Sequence, residues 1–393
     1  MEFLKLFQTH QEYEAFVSGD TMVKPNVSLC EQENEVHYNP ILHDYSKDYL
    51  TFVALEDGII SFTLFSWADT TFVESFAYSK NDGEWVETQN SDDRENDIKI
   101  NVNVVEGDKV RWKGVANHIG CEDGNGGVFT STCRVNTQGN IMSLLCGDYF
   151  NNELTLGNDF VFSSLFTDIS SGNENKCLIV NASDLVLPAT TLANNCYAGM
   201  FADCTNLTTA PVLPATTLAD GCYVFMFSRC TSLTTAPVLP ATTLADGCYE
   251  GMFQDCTSLT TAPELPITTL ADGCYSQMFY GCTSLTVAPE LPATILVQSC
   301  YSYMFYGCTS LTVAPELSAT TLTSDCYSFM FMGCRSLNYI KAMFTTTPSG
   351  TYTNNWVSNV AATGTFVKNA AATWTTTGVN GIPTGWTVET ATA

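Results

Sequence analysis

The sequence is poor in basic residues, in histidine and in long apolar runs. Its 393 residues contain 15 Lys and Arg against 41 Asp and Glu, a formal charge of −26. Nucleic acids and anionic membranes bind basic surfaces, so this balance argues against both as partners. No apolar run reaches about 18 residues, and we expect no membrane insertion. Residues 1–10 lack the apolar core of a secretory signal, which predicts folding in a reducing cytosol.

Histidine, the side chain most often used for catalysis and metal binding near neutral pH, is also scarce. None of the four histidines lies in a metal, nucleophile or nucleotide motif: His10, His37, His43 and His118. His118 is close to Cys121, but a Cys/His dyad also needs an orienting third group, which favours a loop histidine. The sequence therefore predicts no catalytic residue, no cofactor and no metal site, and hence no enzyme.

What the sequence does contain is one motif written six times with a period of 26 residues. The motif is C-Y-x-x-M-F-x-x-C, in which x varies between repeats. A fixed period of about 20 to 50 residues predicts a solenoid, in which each repeat buries its apolar face against its neighbours. The first and second cysteines of the six motifs are Cys196/Cys204, Cys222/Cys230, Cys248/Cys256, Cys274/Cys282, Cys300/Cys308 and Cys326/Cys334.

Each repeat has the pattern of one helical turn followed by one short strand. Tyr249, Met252 and Phe253 have the i, i+3, i+4 spacing of a short helix or 3₁₀ turn. Asp246, two residues before this motif, is a candidate N-cap. The Thr-rich segment after the second cysteine favours a strand that ends near a proline such as Pro263. One strand and one helical turn per repeat is the leucine-rich-repeat plan.

The cysteines admit two main interpretations. Seventeen cysteines could form a disulfide framework, and a stacking distance of about 5 Å between equivalent positions would permit it. We favour buried free thiols, because free cysteine fills small core positions and structural disulfides are rare in the cytosol. Zinc is a weaker alternative, since the spacing within the motif is not that of a usual ligand pair.

The chain divides into four predicted segments, giving an α+β, mostly β fold class. Residues 1–45 are polar and turn-rich, which predicts an extended arm that docks on a partner. Residues 46–140 alternate in polarity and predict a β-sandwich with strands Leu50–Leu55, Ile59–Phe65, Glu74–Ser79, Ile98–Val104, Lys109–Gly114 and Val128–Val135. Residues 141–340 form the solenoid and its capping coil, and residues 341–393, with three tryptophans, form a C-terminal β cap.

Two sets of residues on the repeats are candidate sites. Residues that change from repeat to repeat cannot all pack against identical neighbours, so we expect them to face solvent. The aromatic ones would form an exposed binding stripe, or would pack on another subunit or on the sandwich. They are Phe225, Tyr280, Tyr303, Tyr306 and Phe329. A second set shares one repeat position and resembles paired glycosidase acids, although duplication of a solvated Glu is the simpler explanation: Glu264, Glu290 and Glu316.

The repeats resemble a known family. The run M-F-x-x-C-T-S-L at Met252–Leu259, Met278–Leu285 and Met304–Leu311 is similar to the core of BspA-like leucine-rich repeats, with Met replacing their usual Ala. The tail from Trp356 to Trp386 resembles the ending of such proteins in gut Bacteroidetes and their phages. This resemblance implies a surface protein for adhesion, with no catalytic residues to carry over.

The opening of the chain carries a second resemblance. The series from Phe7 to Pro40 is similar to a leader on structural proteins of gut Bacteroidetes phages. Together the two resemblances imply a virion protein, a fibre or decoration fixed to a capsid or tail protein by its arm, and they are compatible with a homo-oligomer such as a trimer. Its repeats would face a host-surface protein or glycan. The alternatives are a bacterial cell-surface adhesin of the BspA-like type and, more remotely, a glycan-active enzyme.

Overall fold

The computed structural model describes residues 44–65, 73–88, 98–120, 126–167 and 177–391. These residues belong to one compact unit. The predicted docking arm lies outside them, apart from its last two residues. Among the helices of the described ranges, none is long and apolar enough to cross a membrane.

The described residues are mostly β, which confirms the predicted class. Within the described ranges, helix is limited to α1 (Ser143–Cys146) and two 3₁₀ turns at Tyr45–Lys47 and Phe150–Asn152. The strands are β1 (Leu50–Ala54), β2 (Gly58–Leu64), β3 (Val73–Lys80), β4 (Val86–Thr88), β5 (Ile98–Val104), β6 (Lys109–Ala116), β7 (Gly127–Ser131), β8 (Val135–Asn140), β9 (Ile179–Val186), β10 (Tyr339–Ala342), β11 (Thr365–Lys368) and β12 (Thr387–Thr390).

Strands β1 to β9 form two sheets, ordered β4-β3-β6-β1-β8-β9 and β5-β2-β7. Alternation along β6 points Val110 and Trp112 inward, and both are fully buried. Rings from the two sheets meet in the core: Phe62 of β2 stacks on Phe76 of β3 with centroids 4.3 Å apart. The two sheets therefore pack against each other through their apolar faces.

The strand prediction fails at three places. Strand β9 lies in the segment assigned to the capping coil, yet it pairs with β8 at the edge of the six-stranded sheet. The predicted strand Val128–Val135 is two strands, β7 and β8, which belong to different sheets. The chain bends between them, and the Ser131 hydroxyl donates a hydrogen bond to the Cys133 carbonyl across the bend at 2.8 Å. Strand β4 is not predicted by the sequence, because three residues are too few to show an alternation.

From Cys196 to Cys334 the chain stacks on itself through regular backbone hydrogen bonds. Each repeat donates N–H groups to carbonyls 25 positions later: Tyr223 to Cys248 at 3.1 Å and Phe227 to Met252 at 2.9 Å. The alternate residues close turns within their own repeat, as where the Met226 N–H donates to the Tyr223 carbonyl at 3.2 Å. Buried backbone groups are thus paired without a regular helix or strand.

The predicted helical turn and strand of each repeat are wrong. Residues 196–334, all described, contain neither element. A positive φ at the third residue of successive turns, such as 53° at Phe225, interrupts the helical dihedrals. The Thr-rich segments pair only through isolated bridges, such as Thr235 with Thr261, because the nearby prolines cannot donate.

The predicted aspartate N-cap is also wrong. The Asp246 carboxylate accepts the backbone N–H of Asp272, its counterpart in the next repeat, at 3.0 Å. Asp220 accepts from Asp246 at 3.2 Å, and Asp272 accepts from Gln298 at 3.0 Å. These side chains therefore join successive repeats instead of capping helices.

Replacing Asp246 separates the contribution of this hydrogen bond from that of the charge. We expect Asp246→Ala to lower the free energy of unfolding by about 1 kcal/mol, because the Asp272 N–H loses its acceptor. Asp246→Asn keeps an acceptor oxygen and removes repulsion between stacked carboxylates, so its stability should equal or exceed that of the natural chain. Urea denaturation measures both variants, and equal losses would contradict the bond between repeats.

Inside the stack, the constant aromatic residues form two columns of nearly parallel rings. Centroids within the tyrosine column lie 5.8 to 6.0 Å apart. At the start, Phe162 stacks on Tyr197, and at the end Trp356 contacts both Tyr327 and Phe331. The columns are Tyr197, Tyr223, Tyr249, Tyr275, Tyr301 and Tyr327, and Phe201, Phe227, Phe253, Phe279, Phe305 and Phe331.

The C-terminal segment closes the end of these columns. Strands β10, β11 and β12 form a parallel sheet. Trp356, Trp374 and Trp386 are buried. Their indole N–H groups donate to backbone carbonyls at 3.0, 3.2 and 2.8 Å, so each polar edge is satisfied within the core.

Candidate binding surface

The cysteines of the repeats are core residues with no evident chemistry. All twelve motif cysteines are buried, and the described cysteines are free thiols. The second thiol of a motif donates to a phenylalanine carbonyl of the preceding repeat, as Cys256 does to Phe227 at 3.0 Å. Burial raises the pKa of Cys256 to about 12, which makes the reactive thiolate rare. No group of three potential metal ligands occurs among the residues described.

Four of the five predicted aromatic residues lie together on the surface of the last three repeats. Tyr280 and Tyr306 stack with centroids 4.4 Å apart and planes 1° from parallel. Tyr303 and Phe329 stack in the same way, also at 4.4 Å, and Tyr303 lies 6.1 Å from Tyr306. All four side chains are partly exposed. We call these four residues the aromatic cluster.

Phe225, the fifth predicted residue, stands apart from the aromatic cluster. Gly251 and Gln277 occupy its repeat position in the two repeats that separate it from Tyr303. Its ring lies against Gly251, where an added Cβ would come within 2.1 Å of the Phe225 Cε1 atom. The expected stripe is therefore interrupted at the third repeat, which has Gly251 and Gln254 at the two aromatic positions.

The backbone beneath the cluster is in a conformation that favours glycine. Tyr303 and Phe329 have φ values of 56° and 59°. Gly199 and Gly251 occupy the same repeat position, at 60° and 58°. A non-glycine residue in this region costs about 1 kcal/mol or more. The later repeats thus carry aromatic side chains at a backbone position where glycine would be free of strain.

The repeat surface changes character at the border of the cluster. Tyr280 and Tyr306 are each followed by glycine, whereas the equivalent positions of the first two repeats form an ion pair, Asp203 with Arg229 at 3.4 Å. The third repeat has Asp255 there. Its carboxylate lies over Gly281, where an added Cβ would be 2.1 Å from the Asp255 Oδ1 atom. An acid therefore borders the aromatic cluster directly.

The three glutamates do not line a cavity of useful size. Glu264, Glu290 and Glu316 are exposed. Glu316 forms an ion pair with Lys341 at 2.9 Å, and this hydrogen bond raises the pKa of Lys341. The depression beside Glu264 has no room for a water molecule. Nothing in it resembles the cleft between two acids that holds a glycosidic bond.

His118 occupies a structural position. Its ring nitrogens lie 2.7 Å from the Gly120 carbonyl and 3.3 Å from the Asp159 carbonyl. Cys121, its neighbour in the sequence, lies outside the described residues. These contacts tie the loop after β6 to the segment that begins the stack.

Comparison with family models, curated proteins and solved structures finds no match. Function is therefore inferred from the residues and their contacts. Among the described residues, the aromatic cluster has the chemistry of a binding site, because it is partly exposed and bordered by acid.

Proposed function

We propose that this chain is a non-enzymatic structural protein of a phage virion, presenting its repeats for adhesion to a host-surface protein or glycan. The observation that carries the proposal is the aromatic cluster. Tyrosine is enriched among the residues that dominate binding energy at protein interfaces. Two of the four rings are held at positive φ, in a position where glycine would be unstrained.

The proposal includes the architecture of the binding segment. Residues 141–340 would be a solenoid of the leucine-rich-repeat type with 26-residue coils, following a β-sandwich at residues 46–140. The hydrogen bonds between successive repeats and the two ring columns support the stacking plan. The coils contain turns in place of the family's strand and helix, so the likeness concerns the stacking and not the local backbone.

Attachment is assigned to residues 1–45, which would bind a capsid or tail protein and place the chain as a fibre or decoration, in a homo-oligomer such as a trimer. The resemblance of Phe7 to Pro40 to phage leaders supports this assignment. The alternative is a bacterial cell-surface adhesin of the BspA-like type. Both functions use the repeats in the same way and differ in the structure that carries the chain.

Electron microscopy with a gold-labelled antibody against the repeats separates these two locations. We expect gold on purified phage particles, because the repeats would project from the virion. An unrelated phage prepared in the same host serves as the control for adsorption. Gold on phage-free bacterial cells, with none on particles, would overturn the virion proposal in favour of the adhesin.

A further inference from the structure

The stacking of the aromatic cluster limits which ring surfaces a ligand can reach. In each pair, Tyr280 with Tyr306 and Tyr303 with Phe329, the inner faces cover each other at 4.4 Å. Because the four side chains are partly exposed, some ring surface and ring edge outside these stacked faces is open to a ligand. Sugar rings stack on broad exposed aromatic faces, so this arrangement suits a pyranose poorly. The arrangement suits a ligand that stacks on one ring face and donates hydrogen bonds to several oxygen acceptors at the same time.

The charge around the cluster is negative. Between Cys196 and Arg335 the two cations are Arg229 and Arg335, against ten acids: Asp203, Asp220, Asp246, Glu250, Asp255, Glu264, Asp272, Glu290, Glu316 and Asp325. Two of these acids are neighbours of the cluster. Burial, Tyr306 and the charge of Asp255 raise the pKa of Tyr280. Burial, Tyr306 and the charge of Asp325 raise the pKa of Tyr303. A cationic ligand would be attracted here, and sialylated or sulfated glycans would be repelled.

We propose that the aromatic cluster binds arginine side chains of a partner protein. The guanidinium group has five N–H donors and no acceptor, which matches the tyrosine hydroxyls and the carboxylates of Asp255 and Asp325. Its plane stacks on an aromatic face, whereas the lysine ammonium is a compact, strongly hydrated charge. This inference rests on the proposed adhesive function and names the chemical class that the same surface recognises.

The repeats themselves supply variants that remove the rings at positions known to accept smaller residues. Gly199 and Gly251 occupy the position of Tyr303 and Phe329, and Ala202 occupies that of Tyr280 and Tyr306. The cluster variant is therefore Tyr280→Ala, Tyr303→Gly, Tyr306→Ala and Phe329→Gly. It leaves the formal charge unchanged. Phe225→Gly is the matched control, since it removes an aromatic side chain from the same repeat position outside the cluster.

The test is fluorescence anisotropy of labelled octa-arginine with the full chain at about 0.15 M salt, where long-range attraction is largely screened. We expect the cluster variant to bind at least about tenfold more weakly, the loss of one to two cation–π contacts. Phe225→Gly should bind octa-arginine as tightly as the natural chain does. The natural chain should bind octa-lysine more weakly than octa-arginine. Melting temperatures show that each variant is folded. If the cluster variant unfolds, Tyr303→Gly alone gives the same comparison.

Three results would overturn the proposal in distinguishable ways. Equal binding of octa-arginine by the natural chain and the cluster variant would mean that general charge attraction suffices. Binding of a neutral oligosaccharide such as mannohexaose, lost in the cluster variant, would make the ligand a glycan. In both cases the adhesive function stands if the cluster variant fails to bind host cells. Unchanged adhesion to host cells would remove the cluster from the proposed function as well.

Discussion

At pH 11 the protein is expected to unfold under conditions in which it is stable at pH 8. Burial raises the pKa of the Cys196, Cys256 and Cys334 thiols from an ordinary 9.0 to about 12. Burial also raises the pKa of eight further motif thiols and of the column tyrosines. The folded state therefore keeps protons that the unfolded state loses above about pH 9, so stability falls as the pH rises from about 9 to about 12.

The size of this effect follows from the number of groups. Each such thiol lowers the free energy of unfolding by about 1.4 kcal/mol per pH unit above its unfolded pKa. The summed loss from these eleven motif thiols exceeds the usual total stability of a domain, about 5 to 15 kcal/mol, within one to two pH units. Circular dichroism against pH should show one steep transition. A chain that stays folded at pH 11 would contradict buried, reduced thiols.

A single substitution provides the matched control. In Cys256→Ser the hydroxyl can still donate to the Phe227 carbonyl, but it does not titrate in this range. Because one thiol fewer titrates, the slope of the free energy of unfolding against pH should decrease by about 1.4 kcal/mol per pH unit.

Thiol titration in denaturant without reductant should find nearly all seventeen cysteines free. Mostly oxidised motif cysteines would contradict folding in a reducing cytosol.

Trp356→Ala is expected to lower the free energy of unfolding by about 3 to 5 kcal/mol, the usual loss for a large buried aromatic side chain. Trp356 is fully buried and ends both ring columns, with centroids 6.4 Å from Tyr327 and 6.1 Å from Phe331. Its indole N–H also donates to the Gly381 carbonyl at 3.0 Å. The cavity would thus open where the stack has no further repeat to fill it.

Trp356→Phe is the control for this prediction. It keeps an aromatic ring against both columns and loses the hydrogen bond to Gly381, so we expect a loss of about 1 to 2 kcal/mol. Urea denaturation, followed by far-ultraviolet circular dichroism, measures both variants. A loss below about 1 kcal/mol in Trp356→Ala would mean that the C-terminal segment contributes little to the closure of the columns.

The stacking of the repeats can be read from the sequence because the constant positions recur without an insertion. The local backbone cannot. The spacing of Tyr249, Met252 and Phe253 is common to a helix and to a series of turns that point the same rings inward. What distinguishes them is a backbone hydrogen bond to the next repeat: the Tyr249 N–H donates to the Cys274 carbonyl, 25 residues later, at 3.1 Å. The same non-local bonding turns Asp246 from an expected cap into a link between repeats.

The candidate site is predictable as a set of residues but not as a surface. Variation between repeats marks the aromatic positions, yet it does not require exposure: Ser228 and Ser302 vary and are only 8% and 6% exposed. Small side chains can vary inside the stack because they displace little. The separation of Phe225 from the cluster and the placement of Asp255 over Gly281 depend on how the repeats stack, which no single repeat reveals.

Within the C-Y-x-x-M-F-x-x-C segments the backbone hydrogen bonds between repeats all run from the N–H groups of one repeat to the carbonyls of the next, and this makes the repeats interchangeable units of length. Every repeat presents the same row of donors to the one after it and the same row of acceptors to the one before. Excision of residues 222–247 would bring the Cys248 carbonyl to the Tyr197 N–H in place of the Cys222 carbonyl. Gene duplication or loss of 26 residues could therefore move the aromatic cluster nearer to the sheets or farther from them, one layer at a time, with both ends of the stack unchanged.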